Sequence, residues 1–249
     1  MNYFKNSKFR IGSWITLAHP AIAEIMAKSG FDWLAVDLEH SVITIAEAEQ
    51  LIRVIELSGV KPLVRLTSNN SDQIKRVMDA GSHGIIVPMV NSKSDLERAF
   101  NALKYPLSGS RGVGLARAQG YGSNFEQYLD WQEESSLLIA QIEHIDAVNN
   151  IEEIFAFEGL DAIIIGPYDL SGSMGIPGQF SDEKYLQAIE KINVASREMD
   201  IPKGIHIIEP NIDEANLRIK EGYQMIAYSL DIRMIDSHCR DLQAEIKTK

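Results

Sequence analysis

Cysteine is nearly missing from this sequence: its 249 residues include one, Cys239. A single cysteine forms no internal disulfide, and cysteine-rich zinc sites are excluded with it. Long apolar runs are missing too, since no window approaches the roughly 20 apolar residues of a membrane-spanning helix. The segment Met1–Arg10 is short and polar and lacks the apolar stretch of a signal peptide. Basic residues are in deficit, 24 against 35 acidic ones, and the formal net charge of −11 sets the surface against nucleic acid and anionic membrane. The expectation is a cytoplasmic protein with no nucleic-acid and no membrane partner.

Familiar catalytic signatures are absent as well. No Gly-x-Ser-x-Gly elbow occurs. Gly109–Gly114 (GSRGVG) is glycine-rich without the spacing of either phosphate loop. A Schiff-base aldolase needs a lysine projecting into the substrate site, and the candidate lysines, Lys61 and Lys203, open their strands rather than close them.

What is present is alternation. Eight apolar, β-branched runs read as strands: Phe9–Ile15, Trp33–Leu38, Pro62–Leu66, Gly84–Pro88, Leu137–Glu143, Asp161–Gly166, Lys203–Ile208 and Gln224–Leu230. Most are continuously apolar, as parallel strands covered on both faces require. Helical stretches fill the gaps. Thr44–Glu47, Ser94–Glu97 and Ser123–Glu126 have capping-box spacing, Asp146 and Ser181 are further N-cap candidates, and Gly59 is a helix stop. Gly30, Gly81 and Gly222 stand where a left-handed C-cap is wanted. Eight strand–helix units in one chain predict a single (β/α)8 TIM barrel domain over residues 1–249, with a doubly wound open sheet as the rival. The longest irregular stretch, Tyr105–Gly122, has the length of a functional or mobile loop.

In such a barrel, catalytic side chains gather at the carboxyl ends of the strands. Asp37, Glu39 and His40 end the second strand, Arg65 the third, Gln141 and Glu143 the fifth, and Gly166, Tyr168 and Asp169 the sixth. Two carboxylates brought together repel unless a cation or proton lies between them, so Glu143 and Asp169 are candidate ligands of a hard divalent metal, Mg²⁺ or Mn²⁺, with Co²⁺ also compatible. A helix cap or surface ion pair is the alternative for either carboxylate. His40 has the type and setting of a general base, against an ordinary loop histidine. Arg65 can clamp a carboxylate or an enolate oxygen, against an internal salt bridge to Asp37 or Glu39. His19, His83 and His238 read as surface or packing residues, His144 as pointing away from the site, and His206 as a barrel packing residue.

With those residues in place the chain resembles the HpcH/HpaI aldolases, class II pyruvate aldolases acting on 4-hydroxy-2-oxo acids, among them 2-keto-3-deoxy sugar acids. The carrying segments are Gly30–His40 (GFDWLAVDLEH), Pro62–Arg65 (PLVR), Asp79–Gly81 with Ile86–Met89, Gly109–Gly112 (GSRG), Gln141–Glu143 and Ile165–Ser171 (IGPYDLS). The resemblance implies a phosphoenolpyruvate/pyruvate-type barrel that exchanges its last helix with a partner and assembles as a homo-hexamer. It implies that Glu143 and Asp169 bind the metal and that pyruvate chelates it. Arg65, Gln141, Gly166 and Tyr168 would then contact the small-molecule substrate, a 2-oxo acid with its aldehyde. His40 paired with Asp37 would handle the proton through a bound water, and Asp79 would be a catalytic acidic position near a subunit contact. Tyr168, the loop Arg117–Gly122 and Ser229–Arg233 depart from the common family forms and leave the aldehyde open. A same-scaffold synthase or lyase of the citrate or acyl-CoA type is the alternative, and a barrel that has lost its chemistry is a third reading.

Overall fold

In the computed structural model, which describes residues 3–5 and 8–247, eight parallel strands close into a barrel in sequence order. They are β1 Arg10–Ile15, β2 Trp33–Asp37, β3 Lys61–Arg65, β4 Gly84–Val87, β5 Leu137–Ile142, β6 Ala162–Ile165, β7 Lys203–Ile207 and β8 Met225–Leu230. The (β/α)8 expectation holds and the open sheet does not, because β1 pairs with β8 as well as with β2. The expected strand ends retreat by a residue or so. Leu38, Leu66, Pro88, Glu143 and Gly166 leave the ladder where the chain turns toward the next helix.

Helices α1 Pro20–Lys28, α2 Ile45–Leu57, α3 Ser71–Asp79, α4 Lys93–Leu103, α5 Phe125–Ser135, α6 Ile145–Asn149, α7 Ile151–Phe155, α8 Pro167–Ser173, α9 Glu183–Glu198, α10 Ile212–Lys220 and α11 Asp231–Lys247 surround the strands. Thr44 and Glu47 form the expected capping box of α2. The other predicted caps shift. Ser92, not Ser94, caps α4; Asn124, not Ser123, precedes α5 without a side-chain bond; His144, not Asp146, caps α6; Asp182, not Ser181, caps α9. A side chain reaches the free amides of the first turn only from the last extended residue, and the exit from the preceding segment decides which residue that is. Gly30, Gly81 and Gly222 have φ of 94°, 99° and 83°, the left-handed positions expected after α1, α3 and α10.

The barrel interior is filled in layers. Gly12 leaves room for the Trp33 ring, which a Cβ there would meet at 2.0 Å. Trp33, Leu63, Ile139, Ile164 and Met225 pack below the site, and Phe4, wholly buried, closes the N-terminal end beneath them. Outside the barrel, α11 leaves Ile232, Ile235, Leu242 and Ile246 exposed at helical spacing. The stretch 105–122 is anchored rather than loose. It contains a 3-10 turn, Arg117–Gly122, whose Arg117 pairs with Glu56. Within it, Arg111, 2% exposed, lies over the rings of Tyr105 and Tyr128. Among the described residues no helix is long and apolar enough to cross a membrane.

Candidate active site

The carboxyl ends of the strands hold a cavity of about 230 Å³ whose walls include Asp37, His40, Arg65, Gln141, Gly166, Tyr168 and Asp169. Its floor is a layer of four inward side chains from alternate strands: Trp14 on β1, Arg65 on β3, Gln141 on β5 and His206 on β7. Pairing register places them together, because the barrel steps on by two residues for every second strand: Arg65 is two beyond Leu63, which aligns with Trp14 through Ala35. Lower layers of the barrel are apolar; this one is polar.

Arg65 is the hub. It is 8% exposed, its guanidinium lies 4.3 Å over the Trp14 ring, and two of its nitrogens donate to Asp37, Nε at 2.9 Å and Nη2 at 2.6 Å. Its third nitrogen faces Glu39, with Nη1 3.4 Å from Oε2. Both ion pairs left open in the sequence therefore exist, and they hold the guanidinium at the rim rather than remove it: a fork of five N–H donors keeps capacity for a substrate oxygen. The buried setting also gives Arg65 a packing role, its guanidinium stacked on the Trp14 ring.

Asp37, 1% exposed, also accepts the backbone N–H groups of Glu39 and His40 at 3.0 and 3.2 Å. That corrects the expected pairing of Asp37 with the His40 imidazole: Asp37 touches His40 through its backbone. The ring stands at the rim, its side chain 64% exposed, with Nε2 3.8 Å from Glu39 Oε2. Glu39 itself was read only as an ion-pair partner for Arg65. Burial pushes its carboxyl up to about 7, with Arg65 opposing the shift and Glu143, Asp37 and Asp169 adding to it.

Glu143 follows β5 and is 3% exposed. Its Oε1 accepts the Met89 N–H at 2.7 Å, and its Oε2 accepts from Gln141 Nε2. Met89, just past β4, has φ of 52°, a left-handed torsion that is costly for a residue with a side chain and that aims its N–H at the carboxylate. Burial raises the Glu143 pKa, and the Asp169 charge raises it further. Asp169 is in the first turn of α8, whose N-cap is Gly166. A Cβ at Gly166 would lie 3.0 Å from Glu143 Oε2, so glycine preserves the space beside that oxygen. The described residues contain no group of three or more His, Cys, Asp or Glu able to hold a metal by themselves. A pair of carboxylates with free space beside one oxygen suits a hard cation that keeps positions for substrate and water.

Asp79 does not join this cluster. It ends α3, so topology puts it at the opposite, N-terminal end of the barrel, within the field of Arg111 and Lys75. His144 caps α6, His83 packs on Trp131 beside Glu56, and His19 caps α1. His206 is more than packing: it lines the cavity, with Nε2 buried and without a hydrogen-bond partner, and burial lowers its pKa to about 4. Strict alternation from Gly204 along β7 would have placed it inward. Ser229–Arg233, a departure from the common family form, contains Asp231, which accepts the Thr16 and Leu17 N–H groups at 2.8 Å and ties the loop after β1 to the start of α11. Tyr168 is half exposed, its ring edge-on to Phe180 at 5.0 Å. It lies between the site and a second cavity of about 240 Å³.

Residues 10–236 match the family described as HpcH/HpaI aldolase/citrate lyase. The chain is 35% identical to the hydroxypyruvate/pyruvate aldolase of Sagittula stellata, over 95% of this chain and 92% of that one. It is 33% identical to the 4-hydroxy-2-oxo-heptane-1,7-dioate aldolase of Escherichia coli, over 93% and 88%. The crystal structure of an HpcH/HpaI aldolase from Desulfitobacterium hafniense superposes with a TM-score of 0.88 at 30% identity, covering 96% of this chain and 93% of that one. By sequence and fold, the chain belongs to the HpcH/HpaI aldolase/citrate lyase family.

Proposed function

We propose that this protein is a divalent-metal-dependent carbon–carbon lyase that cleaves a 4-hydroxy-2-oxo acid to pyruvate and an aldehyde. The observation that carries the reading is the cluster around that layer: two electrostatically coupled carboxyls, Glu143 and Asp169, beside a buried guanidinium and a rim imidazole. Glu143 and Asp169 would hold Mg²⁺ or Mn²⁺. Bound there, the cation supplies Lewis-acid stabilisation of the charge that develops on the keto oxygen.

The chain's own groups do the rest. Arg65, fixed by Asp37, offers its remaining N–H donors to the developing enolate oxygen. Gln141 and the first-turn N–H groups of Tyr168 and Asp169 face the pyruvate end. His40 takes the proton of the C4 hydroxyl as the C3–C4 bond breaks and the aldehyde leaves; the enolate then takes a proton to become pyruvate. Tyr168 borders the aldehyde end. The floor of Trp14 and His206 keeps water from below.

Assembly with further copies is part of the reading: the uncovered apolar face of α11 supports exchange of that helix within a homo-oligomer, a hexamer by resemblance. An exposed, unpaired Cys239 suits a reducing cytoplasm. The test needs no knowledge of the aldehyde. Protein loaded with Mg²⁺ or Mn²⁺ should exchange the methyl protons of pyruvate in D₂O, followed by NMR, and lose exchange with chelator. It should release pyruvate from 4-hydroxy-2-oxo acids and not cleave citrate or malyl thioesters. Loaded protein that exchanges nothing overturns the reading, and cleavage of the thioesters alone replaces it with the acyl-CoA alternative.

A further inference from the structure

The floor of the candidate active site contains one acceptor and one donor that the proposed mechanism leaves idle. His206 on β7 lines the cavity, and its buried Nε2 meets no donor. Trp14 on β1 lines it too, and its Nε1–H is buried without an acceptor. The two rings meet edge to face, with centroids 5.5 Å apart. Buried polar atoms without partners are costly and call for an explanation. The nearby donors of the same layer are committed elsewhere, Arg65 Nε and Nη2 to Asp37 and Gln141 Nε2 to Glu143. The other side of the imidazole settles its tautomer. A hydrogen bond to the Ser229 backbone favours the charged ring, so its acceptor is the carbonyl; with Nε2 unpartnered, the donor is Nδ1. Burial, with the Arg65 charge adding to it, holds the ring neutral at neutral pH, and Nε2 therefore presents a lone pair.

We infer that His206 determines specificity in the proposed lyase: its Nε2 accepts a hydrogen bond from a hydroxyl of the substrate, and the Trp14 Nε1–H donates to the same oxygen. The inference rests on the lyase reading and adds a substrate class to it. A hydroxyl is the group that fits, because it both donates and accepts. A carboxylate has no proton for the lone pair, an ammonium has no acceptor for the indole, and a methyl group leaves both unpaired. The place is suited to a group near the reacting carbons. Trp14 lies under the Arg65 guanidinium, 4.3 Å away, so the floor borders the group assigned to the enolate oxygen. His206 and Tyr168 also line the second cavity, on the aldehyde side. The hydroxyl is therefore carried either by C3 of the 2-oxo acid or by the aldehyde carbon next to the carbonyl. A substrate with only hydrogen there leaves two buried polar atoms unpaired, and a hydroxylated one satisfies both, which is how such a site discriminates.

The experiment compares kcat/KM for paired substrates on metal-loaded enzyme, with thermal melts to confirm folding. One arm follows C3 proton exchange in D₂O by NMR, for hydroxypyruvate against pyruvate. The other follows carbon–carbon bond formation by pyruvate, with glycolaldehyde against acetaldehyde. His206→Leu keeps apolar bulk and removes the lone pair. It should lower the ratio of hydroxylated to plain substrate by about 10- to 100-fold, the scale for a lost hydrogen bond and a stranded partner. A fall in either arm supports the inference and identifies the carbon. His206→Gln, whose amide oxygen still accepts, should keep part of the ratio. Trp14→Phe should lower the same ratio; a ratio it leaves unchanged strikes the indole from the pair. Ratios unaffected by His206→Leu in both arms overturn the inference and leave the lyase reading standing, because the imidazole then only fills space. A parent enzyme that exchanges nothing with pyruvate removes both. If the His206 variants do not fold, ¹⁵N NMR of His206 in the unaltered enzyme decides. An unprotonated Nε2 whose resonance moves with hydroxypyruvate or glycolaldehyde, and not with pyruvate or acetaldehyde, supports the inference; a protonated Nε2, or no difference within either pair, overturns it.

Discussion

The two ends of this barrel are built from different materials. At the N-terminal end Phe4 is wholly buried against the Trp33 cluster, and Arg10 and Lys61 lie over the Tyr3 ring at 4.0 and 4.6 Å. At the other end the buried side chains are Asp37, Arg65, Gln141 and Glu143, bonded to one another or to backbone amides. Apolar burial is non-directional and tolerates repacking, whereas a polar layer is stable only while every member keeps its partner. The N-terminal end therefore secures the fold, and the carboxyl end, set in a fixed geometry by that fold, holds the chemistry.

Substitutions can break this division in order of severity. Arg65→Ala should abolish pyruvate proton exchange, measured by NMR. It should also lower stability by about 3–5 kcal/mol in denaturant titration, because Asp37 is left buried without its cation. Full stability would mean that Asp37 finds another partner. Phe4→Ala should cost about 3–5 kcal/mol in the same titration while kcat stays unchanged under conditions where the variant is folded. A kcat loss there would show that the ends are coupled. Glu143→Gln should weaken Mg²⁺ or Mn²⁺ binding by calorimetry with a melting temperature close to that of the parent; an unchanged titration removes Glu143 as a ligand.

The smallest contrast is with pH. His206, near the carboxyl end, has its pKa lowered by burial to about 4, so unfolding takes up a proton as pH falls from about 6.5 to 4 and stability declines on the acid side. Asp161, just before β6 at the N-terminal end, has its pKa raised by burial to about 6. Its contribution is complete below about pH 4 and is lost as pH rises through about 6. Each effect is on the order of 3 kcal/mol. His206→Gln should flatten the acid limb of stability against pH, and Asp161→Asn the neutral one; parallel curves for variant and parent would show that the groups titrate alike in both states.

Much of this was legible in the residues. Eight apolar runs specify a barrel because parallel strands covered on both faces have almost no other composition, and Gly30, Gly81 and Gly222 mark helix ends through a torsion other residues avoid. Arg65, Glu143 and Asp169 could be placed at one rim because strand ends are predictable. The partners of those residues were not legible. Whether Asp37 serves Arg65 or His40 is decided by differences of an ångström, and Asp79 shares its sequence neighbourhood with site residues while lying at the far end of α3. His206 was hidden for another reason: one histidine in an apolar run reads as packing until the alternation of β7 and the barrel's stagger are known.

The left-handed torsion at Met89 places part of the site's specificity outside the genetic alphabet of side chains. Glu143 is oriented by the Met89 amide, not by the Met89 side chain, which is half exposed. A survey that replaces residue 89 with every other side chain would find most of them tolerated and would conclude that nothing of importance happens there. Proline, which has no N–H and cannot adopt a positive φ, and the β-branched residues, which resist that torsion, would expose the contact. A candidate metal ligand of this enzyme is thus held by a residue that conventional substitution scanning would pass over.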